Sequence, residues 1–364
     1  MLQGLVSGAV FWIITVDKSW RMKTDRNVLI LDQGGSSSRG IIFNDQGTVL
    51  ASERVTVDSQ HPQPNYVEQD PVALKQSLAT VSQRLLAMTI GQSVEHCGLV
   101  TQRSSLVCWD KHTGEPLSPV ISWQDTRAHE LLQRYVSDFT EVQRKTGLYP
   151  NAHFGASKMR WCLDHLPAVT AAAKQGRLCM GPLASYLLFS LVDTKPFRVD
   201  PANASRTLLM NIEQVDWDQS LLDQFGLSRE YLPEISPSSS HFGYLNKSIS
   251  GGQRVSVGLL NGDQSAAVFA QGAPKDDWAA VNAGTGAFIY RTVKQPVANT
   301  RLLTSIVHQN NRGELQYVLE GTVNGAVSAL QWYAHQDNSG QGSLKLAGRV
   351  VLDGIEQLKN SSRH

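Results

Sequence analysis

The chain has 364 residues, room for roughly two domains and a sizeable core. Its 33 basic side chains are balanced by 32 acidic ones, which excludes the net field of a nucleic-acid or anionic-membrane binder and leaves a small-molecule ligand as the default. The four cysteines, Cys97, Cys108, Cys162 and Cys179, include no CxxC, and the ten histidines form no pair at helical ligand spacing. Neither structural zinc nor a disulfide framework is expected, and the cytoplasm is the simplest compartment.

Residues 5–16 are apolar but too short to cross a bilayer core of ~30 Å. They also lack the basic segment and small-residue cleavage site of a signal peptide. Met22 supplies an alternative initiator, so residues 1–26 read as an N-terminal extension, disordered or added by an upstream start. A short membrane-associated anchor is the less favoured alternative.

Residues 28–31 form a continuous apolar run that suits a strand buried on both faces. Asp32 stands at its end. Gly34 and Gly35 then permit backbone angles that a β-carbon forbids, Ser36, Ser37 and Ser38 supply hydroxyl and N–H donors for an anion, and Arg39 adds a positive fork. A carboxylate beside phosphate-seeking donors makes sense with a divalent cation between them. A solvated hairpin turn is the other reading, because the lysine and following helix of a P-loop are missing.

Residues 40–43 and 49–57 read as strands joined across Asn44-Asp45-Gln46-Gly47. Asp70-Pro71 is a helix start, with a capping carboxylate before a proline that has no N–H to lose, and the helix is expected to reach about residue 87. Residues 97–101 and 106–109 are strand-like, and 110–114 form a turn. Residues 120–125 are expected as a strand ending in a polar pair before a helix near Thr126. Strands alternating with helices indicate an α/β fold with ligands at the sheet's edge. Residues 152–211 read as mainly helical, with a buried core helix over 183–192, and residues 233–252 as a surface loop region. A second set follows: a strand over 257–260 leading into Asn261-Gly262-Asp263-Gln264, a helix over 265–271, and a strand over 279–282 before Ala283-Gly284-Thr285-Gly286.

LDQGGSSSR, YVEQDP, WDKHTG, SWQDTRA, DPANASRTLLMNI, VDWD, LPEISPSS, NGDQSAAVFAQG, NAGTGAF and LEGTVNGAVSALQW, in this order and spacing, resemble the FGGY family of carbohydrate kinases, closest to its glycerol kinases. The resemblance covers about residues 27–332. It implies an actin-like (ribonuclease H-like) ATPase fold whose first domain, residues 27–268, is complete and carries the substrate and phosphate site. Residues 269–364 would be an incomplete second domain on the nucleotide side, as in a family member shortened at its C-terminus.

The implied chemistry is phosphoryl transfer from ATP, with Mg2+, to a hydroxyl of a small polyol or sugar. Asp263 matches the general base and Asp32 the magnesium carboxylate, with Asp263 also beside the metal. A loose transition state asks little of base strength, so an ordinary carboxylate placed in line suffices. Gly34, Ser36, Ser37 and Arg39 match phosphate-contacting positions, Gly284 and Thr285 the second phosphate loop, and Gln331 an adenine-region contact. Arg103, Trp123, Gln264 and Phe288 match the substrate pocket.

Two pocket positions depart from the family pattern: Ser104 stands where a glutamate is expected and His153 where a tyrosine is. Each family residue holds a substrate hydroxyl, so glycerol is only one candidate. Val327 replaces a glycine near the nucleoside, and the late adenosine loop, GGxxxN, has no counterpart. The tail from Asp337 suggests an amphipathic helix after a Ser/Gly linker. Two functions remain open: an ATP-dependent polyol or sugar kinase, expected in this shortened form to bind ATP weakly and to turn over little or not at all, and a non-catalytic polyol- or sugar-binding remnant of one. No membrane span or nucleic-acid partner is expected, and a homo-oligomer stays open.

Overall fold

A computed structural model describes residues 27–270, 272–275, 279–283, 287–297 and 302–323. The expected N-terminal extension, Gly284, Thr285, Val327, Gln331 and the tail lie outside them.

The chain opens as a meander, β1 (Asn27–Gln33), β2 (Ser37–Phe43) and β3 (Val49–Thr56), followed by the two-residue β4 (Glu68–Gln69) and helix α1 (Pro71–Ala87). Strands β5 (Val94–Thr101), β6 (Leu106–Asp110) and β7 (Val120–Ile121) come next, then α2 (His129–Tyr135), α3 (Phe139–Thr146), α4 (Gly155–His165) and α5 (Pro167–Lys174). After β8 (Leu178–Pro182) and α6 (Leu183–Leu191) come β9 (Arg198–Val199), α7 (Pro201–Ala204), β10 (Met210–Asn211), β11 (Asp216–Trp217), α8 (Gln219–Phe225) and β12 (Glu234–Ile235). The last elements are β13 (Ser239–Tyr244), α9 (Lys247–Ser250), β14 (Ser256–Gly262), α10 (Asp263–Ala267), β15 (Ala279–Ala283), β16 (Ala287–Val293), β17 (Leu303–Gln309) and β18 (Leu315–Val323).

The organising sheet has the order β13-β14-β5-β1-β2-β3. β1 runs parallel to β5 and β5 parallel to β14, while β2 and β3 are antiparallel additions and β13 closes the far edge antiparallel. β1 is buried on both faces, as its unbroken apolar run predicts. Leu29 and Leu31 pack with Ile42 and the inner face of α1 (Leu74, Leu78, Val81, Leu85), and Ile30 packs with Val100 on the opposite side. A Cβ at Gly40 would lie 2.5 Å from Leu85 Cδ1, so glycine there lets α1 settle against the sheet.

α1 starts as expected: Asp70 Oδ1 accepts from Val72 N at 2.8 Å and Pro71 occupies the first turn. Asp70→Ala is expected to cost about 1 kcal/mol, read as a lower urea midpoint with an unchanged slope. A second core forms around the sheet β4-β7-β6-β8 and helix α4, and a third sheet, β15-β16-β18-β17, stands beyond α10. α6 is the buried core helix expected over 183–192.

Four local expectations need correction. The strand expected over 120–125 is only β7, because the Asp125 carboxylate accepts from Val67 N at 2.6 Å and from the Arg127 guanidinium at 2.7 Å, bending the chain into a turn that delays the helix to His129. The region expected to be mainly helical contains β8, fully buried and paired along its length with β6. The surface loop expected over 233–252 contains β13, which pairs antiparallel with β14 at the sheet edge with a register shift before Gly243. The helix expected over 265–271 is α10, which begins at Asp263. Among the described residues no helix is long and apolar enough to cross a membrane, and all four cysteines are free and buried.

Candidate active site

Three adjacent parallel strands end together. Gln33 of β1 stands opposite Thr101 of β5, and Thr101 opposite Gly262 of β14. Asp32, Arg103 and Asp263 therefore emerge at the carboxyl ends of three neighbouring strands, where open α/β sheets bind ligands. Asp263 is the first residue of α10, after the N-cap Gly262. A Cβ at Gly262 would lie 2.5 Å from Arg103 Cγ, so glycine before the aspartate is what lets Arg103 lie across the strand end.

The glycine–serine segment is a hairpin: Gly34 N donates to Ser37 O at 2.9 Å, Gly35 and Ser36 are exposed, and Ser37 begins β2. Hairpin and anion cradle are thus compatible readings of one segment. Arg39 stands opposite Asp32 across the hairpin. Burial and then the charge of Asp263 push the Asp32 carboxyl up to about 6, with Arg39 partly opposing them. Burial also raises Asp263, against the pull of Arg103 and a hydrogen bond from Gln264 N at 2.6 Å. With the Asp263 charge raising Asp32, the two carboxylates form a hard-oxygen donor pair suited to a hard divalent cation. No group of three His, Cys, Asp or Glu able to hold a metal occurs among the described residues. A cation here would complete its shell with water and phosphate oxygens, as Mg2+ does.

Around Asp263 lies a charged cluster. Arg103, Arg206 and Glu320 are 8%, 3% and 2% exposed. Arg103 Nη1 and Nη2 donate to the Glu320 carboxylate at 3.4 and 3.5 Å, and Arg206 Nη2 donates to Glu320 Oε2 and, at 2.8 Å, to Ser305 Oγ. Burial alone would raise Glu320, but Arg206 and Arg103 outweigh it and hold its carboxyl down at about 2. Gln264 Oε1 accepts from the Tyr290 hydroxyl at 3.0 Å, and Phe288 stacks on Tyr290 with ring centres 6.5 Å apart.

Trp123, 37% exposed, meets the His153 ring edge-on at 5.5 Å. Burial, with Lys158, Arg206 and Arg103 nearby, holds His153 down at about 3, so its imidazole is neutral and offers one donor and one acceptor. Lys158 Nζ donates to Ser122 O at 2.7 Å and His153 O at 3.0 Å, tying the backbone that carries both rings. Ser104 adopts φ 62°, a left-handed conformation uncommon for serine, and its buried Oγ has no hydrogen-bond partner among the described residues.

The structure thus brings Asp32, Arg39, Asp263, Gln264 and Arg103 together, and His153 lies within electrostatic reach of Arg103 while carrying Trp123 against its ring. Glu320, Arg206, Tyr290 and Lys158 were not singled out from sequence. For Glu320 a signal existed: a lone carboxylate within the apolar strand YVLEGTV needs a buried positive partner.

A sheet of this order, with carboxylates at the ends of its central parallel strands, defines an α/β ligand-binding class of protein. Residues 27–270 match the N-terminal domain of the FGGY family of carbohydrate kinases, and the chain belongs to that family. It is 33% identical over 317 residues to a glycerol kinase of Limosilactobacillus reuteri, covering 85% of this chain and 63% of the relative. It is 35% identical over 319 residues to one of Paracidovorax citrulli, covering 84% and 63%. The crystal structure of Plasmodium falciparum glycerol kinase with ADP superposes with a TM-score of 0.81 at 26% identity, covering 86% of this chain and 64% of that one. The chain therefore spans a little under two thirds of these relatives' length. Its fold is the actin-like ATPase fold.

Proposed function

We propose that this chain carries the substrate and phosphate half of an ATP-dependent polyol or sugar kinase of the glycerol kinase type. The observation that carries the reading is the pairing of Asp32 and Asp263 at the ends of β1 and β14, with Arg103 between them on β5's extension. Residues 27–268 would form the substrate- and phosphate-binding domain and residues from 269 onward the nucleotide side, with Gly284, Thr285 and Gln331 there. The free buried cysteines support a cytoplasmic setting.

Asp263 accepts the proton of the attacking hydroxyl as its oxygen bonds to the γ-phosphorus of ATP and the bond to the β-phosphate oxygen breaks, releasing ADP. Arg103, Gln264, Trp123 and His153 orient the hydroxyl-bearing chain, with Ser104 and Phe288 at the pocket's edge. Gly34, Ser36, Ser37 and Arg39 hold the phosphates. Asp32, with Asp263, would hold Mg2+, which neutralises phosphate charge as the transfer proceeds. The test is ADP release by purified protein with Mg2+, ATP and a panel from glycerol to pentitols and ketoses. Magnesium-dependent release with any of them is expected. A polyol-dependent rise in melting temperature without release would reduce the reading to binding alone, and absence of both would end it.

Asp32 makes a separate prediction. The unfolded carboxyl ionises near 3.8 and the folded one near 6, so between these pH values the native state binds more protons. Stability contributed by Asp32 is present below about pH 4 and lost as pH rises through 6. Above pH 6 the two carboxylates repel, and Mg2+ is expected to raise the melting temperature more at pH 8 than at pH 5. Asp32→Asn is expected to stabilise the metal-free protein at pH 8 and erase the magnesium effect. An equal effect in the variant would remove Asp32 from the cation site.

A further inference from the structure

Behind the Gly34–Ser36 turn stands a buried chain of three glutamine amides. Gln33 ends β1, Gln69 ends β4 and Gln102 follows β5, and they are 0%, 2% and 3% exposed. Gln33 Nε2 donates to Gly34 O at 2.6 Å, and Gln69 Nε2 donates to Gly35 O at 2.8 Å. Both amides therefore turn their oxygens away from the glycines, and both oxygens accept from one nitrogen: Gln102 Nε2 donates to Gln69 Oε1 at 2.7 Å and to Gln33 Oε1 at 3.2 Å. Gln102 N also donates to Gln33 O at 2.8 Å. The donors run in one direction, so each amide's orientation is set by its neighbour.

Glycine has the greatest backbone freedom of any residue, yet each of these two glycine carbonyls is held from behind by a buried side chain. Binding both carbonyls on the inner side removes two acceptors that would repel an anion, and leaves exposed Gly35 and Ser36 as the outer face. Gln102 also immediately precedes Arg103, whose guanidinium joins the cluster around Asp263. One two-residue step thus anchors the turn and delivers the pocket arginine.

We propose that Gln69 and Gln102, through Gln33, are positioning residues that fix the glycine–serine turn in its anion-receiving shape and hold it in register with Arg103. The part played by phosphate rests on the kinase reading above; the network itself does not. Gln69 is the member to vary, since Gln33 and Gln102 adjoin Asp32 and Arg103 in the chain and Gln69 does not. Gln69→Leu removes the donor to Gly35 O and an acceptor of Gln102, and Gln69→Glu keeps the acceptor but sets a carboxylate against the Gly35 carbonyl.

In full-length chain, both variants are expected to speed amide exchange at residues 34–37 at least about tenfold while leaving residues 94–101 unchanged. Calorimetry is expected to show MgATP binding weakened on the order of tenfold, equivalent to about 1.4 kcal/mol, with glycerol binding altered less than about twofold. Gln69→Glu serves where Gln69→Leu does not fold. Unchanged exchange in the turn, or MgATP and glycerol weakened alike, overturns the proposal, because the second result is what general loosening would give. If the unaltered protein binds no MgATP, the kinase reading and the phosphate role fall together, and the exchange measurement alone then decides for or against the network.

Discussion

On the kinase function proposed above, Asp263→Asn is expected to lower kcat for polyol phosphorylation by about 10²–10⁴-fold, the range of a lost general base, while the fold and polyol binding persist. The substitution is nearly isosteric, and the Asn oxygen still accepts from Gln264 N, so the start of α10 is retained. What disappears is the proposed proton acceptor and the charge that raises Asp32. Melting temperature in the metal-free state is accordingly expected to rise at pH 8, because Asp32 loses its repelling neighbour. Rapid-quench measurement of ADP formation, alongside a melt, separates the two effects. A variant that turns over within about threefold of the parent would place the base elsewhere.

Glu320→Ala is expected to destabilise the protein by about 3–5 kcal/mol, the cost of removing one partner from a buried ion pair. Two arginines, 8% and 3% exposed, would be left facing one another without a counter-charge. Burial by itself already disfavours the Arg206 charge, and Arg103 disfavours it further. The triad joins β18 of the third sheet to Arg103 after β5 and to Arg206 after α7, so its loss is expected to loosen the third sheet first. Urea unfolding followed by exchange in β17 and β18 reads both quantities. Replacing Arg103, Arg206 and Glu320 together by apolar residues of similar size is expected to recover much of the stability, though no substrate binding.

Glu320 ionises near 4.5 when unfolded and about 2 when folded, so its stabilisation is complete above about pH 4.5 and fades as pH falls towards 2. A parent protein whose stability is level from pH 5 to 2 would contradict the triad.

Segments whose structure is written in consecutive residues were legible before folding. The apolar run of β1, the Asp70-Pro71 helix start and the Asn44–Gly47 turn all stand where sequence reading puts them, because each depends on a few neighbouring side chains and their backbone preferences. The errors were of another kind. β8 and β13 carry no alternation of their own and become strands only through the edges of β6 and β14. The polar pair ending the 120–125 segment became a turn because Arg127 and Val67 N were there to satisfy Asp125.

By itself, then, the sequence determined the family and the local pieces of the central sheet. Only the tertiary structure decided that Glu320 pairs with Arg103 across 217 residues and with Arg206 across 114, that Lys158 ties Trp123 to His153, and that three glutamines clamp one turn. The physical reason is that a buried charge or amide must find its partner in space. Which partner arrives is set by how the sheets stack, a contest among distant segments that no local stretch encodes.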